Sequence, residues 1–100
     1  MKVNVQSVNF KADQQLVDFI QKKLDKLENF YSKVVYADVY LKVQKTSEKE
    51  NKITEILLSI PGDDLIVKKT CKKFEECVDE SVKSLQRQLI KKKEKQKVVS

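Results

Sequence analysis

One hundred residues suffice for one small domain with a modest core, and a formal charge of +6 makes it basic. An apolar content of 40% excludes a disordered chain, and no apolar run approaches the roughly 18 residues needed to cross a membrane. With no His and two Cys there is neither a Cys/His zinc site nor a disulfide framework, and no metal or other cofactor is expected.

One Gly and one Pro leave few places for tight turns, so long helices and strands are expected. Residues 2–8 alternate: Val3 and Val5 point one way, Lys2, Asn4 and Gln6 the other, which is strand periodicity. This opening is no apolar signal segment, so the expected compartment is the cytoplasm. Asp13 suits a helix N-cap or first turn. Leu16, Ile20, Leu24, Leu27 and Tyr31 follow at spacings of four and three, predicting a helix over about 13–31.

Period two returns over 34–45, with Val35, Ala37, Val39, Leu41 and Val43 on one face and Tyr36, Asp38, Tyr40 and Lys42 on the other. After a polar turn at 46–51, residues 52–60 read as a third strand with Ile56, Leu58 and Ile60 inward. Pro61 and Gly62 mark a turn, and Leu65–Val67 make a short fourth strand. From about Lys72, Phe74, Cys77, Val78, Ser81, Val82, Leu85 and Leu89 recur at helical spacing, and this helix is expected to reach about Lys95. Cys77 is expected in the core and Cys71 as a partly exposed thiol.

The order is β-α-β-β-β-α, an α+β domain over 1–97 with 98–100 as a short tail. The first two strands, joined through a helix, should run parallel through a right-handed crossover, and two antiparallel hairpin connections should follow. A four-stranded mixed sheet with two helices packed on one face buries every apolar stripe.

Charge is unevenly placed. Residues 1–67 carry ten Lys and ten Asp/Glu, whereas residues 68–97 carry eleven Lys/Arg against five Asp/Glu. The excess therefore lies in the last third, which points to a polyanionic partner. At 100° per residue, Lys83, Arg87, Lys91 and Lys95 form a stripe opposite Val78, Leu85 and Leu89, and Lys92 and Lys93 surround the helix tip. The first helix has Lys22 and Lys26 on one side of its exposed surface and Asp18, Asp25 and Glu28 on the other. If the helices lie side by side, the two basic sides could join. Phosphates match such a field, and a lysine-dominated stripe suits backbone and shape recognition more than base reading. Solvated surfaces carry such stripes too. Tyr36 and Tyr40 could stack bases on an open sheet, although cross-strand packing accounts for them more simply.

Catalysis is not expected: there is no His and no Gly-rich phosphate loop, Asp63 and Asp64 sit where a turn favours Asp, and Glu75, Glu76, Asp79 and Glu80 sit where the helix dipole favours acids. Two readings of the residues themselves stay open at this point: a nucleic-acid binder such as a general double-stranded RNA-binding module, and a protein-interaction domain docking on an acidic partner. A membrane-surface helix is disfavoured because the apolar face of the last helix is needed for the core.

The topology, together with Leu24-Asp-Lys-Leu-Glu-Asn-Phe-Tyr31, Tyr40-Leu-Lys-Val-Gln-Lys45 and Leu85-Gln-Arg-Gln-Leu-Ile-Lys-Lys-Lys-Glu-Lys95, resembles the ribosome hibernation factors. These comprise hibernation promoting factor and the ribosome-associated inhibitor protein Y, and the last stretch matches the family's Leu-x-Arg-Gln-Leu-x-Lys-x-Lys-x-Lys pattern. The resemblance implies a non-enzymatic protein that binds the small ribosomal subunit in the mRNA channel and the A and P sites. It would contact ribosomal RNA and inhibit translation in starvation or stationary phase. It further implies RNA contacts at Lys23, Lys26, Arg87, Lys91, Lys93 and Lys95, to which the helical wheel adds Lys22, Lys83 and Lys92. No small-molecule substrate or membrane partner is implied, and the free chain is expected to be monomeric. The chain departs from the family pattern at Lys68–Lys73 and at Glu75, where the family has an acidic, Gly-containing segment and a Tyr. Its end soon after the second helix resembles the short form of the family.

Overall fold

Side-chain periodicity and capping chemistry account for the elements in turn. In the computed structural model, which describes the backbone of residues 1–99 and the side chains of residues 1–95, β1 spans Lys2–Val8. Asn9 then reverses the chain with φ 71°, a left-handed conformation that Asn tolerates better than most residues. Asp13 is the N-cap of α1 (Gln14–Asp25): its carboxylate accepts from the Leu16 N–H at 2.8 Å. The helix expected to reach residue 31 tightens at Lys26 into a short 3₁₀ segment, Lys26–Asn29. Leu27 still enters the core three residues after Leu24, a spacing that both helix types keep on one face, and Tyr31 follows because its N–H donates to the Leu27 carbonyl in an α-type turn.

β2 (Tyr36–Val43) pairs in parallel with β1 and antiparallel with β3 (Lys52–Ile60), and β3 pairs antiparallel with β4 (Asp63–Cys71). Spatial order equals chain order, and the strand directions are those the sequence pattern predicted. Pro61 and Gly62 join β3 to β4; Gly62 takes φ 77°, which a Cβ would strain. β4 is longer than the three residues expected, because its register runs unbroken from Ile60↔Asp63 to Lys52↔Cys71. Lys68 and Thr70 point out while Leu65, Val67 and Cys71 point in. Val35 precedes β2 and is 54% exposed, so the inward row begins at Ala37 instead.

α2 (Phe74–Val99) starts after Lys72 and Lys73 and continues past Lys95; Ser100, at the end of the expected tail, lies outside the described residues. The inward rows of the sheet (Ala37, Val39, Leu41, Ile56, Leu58, Ile60, Leu65, Val67) pack against Leu16, Ile20 and Leu24 of α1. They also meet Phe74, Val78, Val82, Leu85 and Leu89 of α2. Each fully buried Leu or Ile contributes about 1.5–3 kcal/mol of transfer free energy. α2 lies over β3 and β4, with α1 beside it toward β1. Both helices therefore cover one face, and Tyr36 and Tyr40 stand on the other. No helix among the described residues is long and apolar enough to cross a membrane.

Candidate nucleic-acid interface

α2 is divided lengthwise by its own packing. Val78, Leu85 and Leu89 are fully buried, which turns Lys83, Arg87, Lys91 and Lys95 to solvent. The row spans twelve residues, or about 18 Å at 1.5 Å per residue. Leu89 is the last buried residue among those described, yet the helix runs on to Val99. Its last turns therefore project beyond the core, carrying lysines where the helix dipole favours cations.

Asp79, on the first turns of α2, connects this row to α1. Its Oδ1 accepts from Lys23 Nζ and its Oδ2 from Lys83 Nζ, each at 3.1 Å. The two ammonium groups, Lys23 first, hold the Asp79 carboxyl below the usual carboxylate range. Lys23 is only 28% exposed and lies over the Phe19 ring, 5.5 Å from its centroid. Lys22 is exposed on the same helix, and Lys26 at the start of the 3₁₀ segment that follows it. The acidic side of α1 turns the other way: Asp25 and Glu28 both pair with the Met1 ammonium group. Lys22, Lys23 and Lys26 thus share the helical face of the domain with Lys83, Arg87, Lys91 and Lys95.

The two tip lysines diverge. Lys93 turns toward Asn29 and Phe30 after α1. Lys92 is half-buried and reaches Asp63 beside the β3–β4 turn, and this bond lowers the Asp63 pKa. Neither tertiary pair was readable in the sequence, although Asp79 and Lys83 stand four residues apart, a spacing that favours a helical ion pair. Lys68 and Lys69 belong to β4, and only Lys72 and Lys73 adjoin the start of α2.

The cysteines differ from expectation at one position. Cys77 is fully buried as predicted, but Cys71 is also buried, because β4 extends far enough to carry it beneath α2. Burial pushes both thiols up, and the proximity of Cys77 adds to the effect on Cys71. Cys71 Sγ and the carboxylates of Glu76 and Glu80 come within 4.8 Å of one another. A thiol held protonated beside two solvated acids near the start of a helix is a poor metal ligand set.

The open sheet face offers no matching row of cations. Tyr36 stands between Lys2 and Ser59, and Tyr40 between Gln6 and Glu55. The tyrosines and the lysine row therefore face opposite sides of the domain.

The sequence profile described as Sigma 54 modulation protein / S30EA ribosomal protein matches residues 3–97. A ribosome hibernation promoting factor of Pseudomonas putida is 31% identical over 96 residues, covering 96% of this chain and 90% of its own length. One from Azotobacter vinelandii is 27% identical, covering 96% and 86%. The N-terminal domain of Thermus thermophilus protein Y superposes with a TM-score of 0.78 at 22% identity, over 91% of this chain and 98% of its own. A ribosomal subunit interface protein from Coxiella burnetii gives 0.81 at 18% identity, over 93% and 98%.

Proposed function

Because the chain belongs to the Sigma 54 modulation protein / S30EA ribosomal protein family, we propose that it is a ribosome hibernation factor, a binding protein and not an enzyme. In this reading residues 1–97 act as one ribosome-binding domain. It occupies the mRNA channel and the A and P sites of the small subunit and inhibits translation in starved or stationary-phase cells. The observation that carries the reading is the row Lys83, Arg87, Lys91 and Lys95, held beside Lys22, Lys23 and Lys26 by the two-sided Asp79 bridge. A row about 18 Å long can meet several phosphates at once, and each phosphate neutralised releases counterion. Val82, Leu85 and Leu89 anchor the helix beneath Lys83 and Arg87, so the backbone there is already ordered before binding. Relatives named for ribosome hibernation support the choice of the ribosome among polyanions.

Sedimentation of lysates from growing and starved cells tests the proposal. The protein is expected to co-migrate with small subunits or whole ribosomes in starved cells, and to remain at the top of the gradient once salt is raised. If it stays at the top under every condition, the proposal fails. Equal affinity for a free RNA duplex and for small subunits would replace it with a general duplex-binding module.

A further inference from the structure

Phe30 and Ile90 are large apolar side chains left 36% and 37% exposed where the 3₁₀ segment after α1 meets α2. The core does not require Phe30: Leu27 and Tyr31, on either side of it in sequence, are the residues that enter the apolar cluster. With Asn29, Lys93 and Glu94 the pair lines a surface pocket of about 300 Å³. That is the lower end of the size range for small-ligand sites. The pocket opens on the helical face, beside the lysine row and across the domain from Tyr36 and Tyr40.

Its chemistry suits a flat, neutral ring with polar edges. Phe30 supplies an aromatic face for stacking, and Ile90 an apolar wall. The Asn29 amide can donate and accept, as the edge of a base requires. Lys93 can hold the adjoining phosphate outside, while the Glu94 carboxylate repels a phosphate from the pocket itself and can accept from an exocyclic amino group. We propose that this pocket receives one unpaired, unstacked nucleobase of the ribosomal RNA whose backbone lies along the lysine row. The inference rests on the proposed function and deepens it: lysines bind the backbone, and Phe30 makes one stacking contact that a continuous duplex cannot offer.

The test compares small-subunit binding of the wild-type chain, Phe30→Leu, Phe30→Trp and Lys91→Gln across a salt series. Phe30→Leu keeps an apolar side chain against Ile90 but has no π face. It is expected to weaken binding about tenfold or more, with the slope of affinity against salt unchanged. Phe30→Trp is expected to bind at least as well as the wild type. Lys91→Gln should instead reduce the slope by about one. Ultraviolet cross-linking followed by mass spectrometry should place an RNA adduct on the peptide containing Phe30. If Phe30→Leu binds as tightly as a wild-type chain that does bind, the pocket proposal is overturned while the proposed function stands. Cross-linking of that peptide to a ribosomal protein overturns it as well. A wild-type chain that fails to bind small subunits at all removes the function, and the pocket with it.

Discussion

Neutralising Arg87, Lys91 and Lys95 together gives the strongest quantitative test of the basic row. All three are exposed on the side of α2 opposite Leu85 and Leu89, and among the described residues no ion pair ties them down. Arg87→Gln, Lys91→Gln and Lys95→Gln should therefore leave unfolding free energy within about 0.5 kcal/mol of the wild type. Binding should respond very differently. If each side chain neutralises one phosphate, the logarithmic salt slope falls by roughly 0.7–0.9 per residue, or about 2–3 for the triple variant. Over a fourfold rise in salt, the wild type would then lose roughly 20- to 40-fold more affinity than the variant loses. The assay is small-subunit binding by fluorescence anisotropy at stepped KCl, with urea denaturation as the control for folding. A triple variant with the wild-type slope would show that these cations are merely solvated, and the electrostatic argument would be wrong.

Leu85→Ala removes a fully buried side chain only two residues from Arg87 and should lower stability by about 2–5 kcal/mol, and Tm by about 10 °C or more, in a thermal melt. Asp79→Asn should reduce stability at neutral pH by loosening α1 from α2. The Asp79 carboxyl has a lowered pKa in the folded state, so its contribution is fully present above the ordinary carboxylate range and is lost as pH falls through the folded value. Wild-type and Asp79→Asn urea midpoints should therefore converge below about pH 4; a gap unchanged down to pH 2 would mean that the bridge contributes nothing. Cys71 and Cys77 should resist a disulfide reagent in the folded protein at pH 8 and react together on unfolding; fast native labelling of Cys71 would contradict its burial.

The order of elements along the chain and the strand directions were legible in the sequence because apolar residues kept strict periods. Val39, Leu41, Ile56 and Leu58 alternate, and Leu16, Ile20 and Leu24 recur every four residues. Two boundaries were not legible, for identifiable reasons. In β4, Lys68 and Thr70 at outward positions and Lys69, half-buried in the inward row near the strand's end, interrupted the apolar alternation and hid the strand. At Lys26, the switch to 3₁₀ geometry preserved the apolar spacing that would have revealed it. The row Lys83, Arg87, Lys91 and Lys95 followed from helical geometry alone. The reach of Lys92 to Asp63, the Asp79 bridge and the meeting of Phe30 with Ile90 depend on how distant segments pack, which no local period encodes.

The order of elements along the chain also has a consequence in time. α2 follows every strand, yet it supplies Phe74, Val78, Val82, Leu85 and Leu89 to the core. β1, made before the other strands, pairs among the described residues with β2 alone, across the whole of α1. During synthesis the sheet therefore has no complete apolar cover until α2 emerges, and the domain must assemble largely as one late step. The helix that completes the fold is also the one that carries the cationic row. A nascent chain thus has no formed binding surface until α2 has emerged, and under the proposed function inhibitory capacity waits on that last helix.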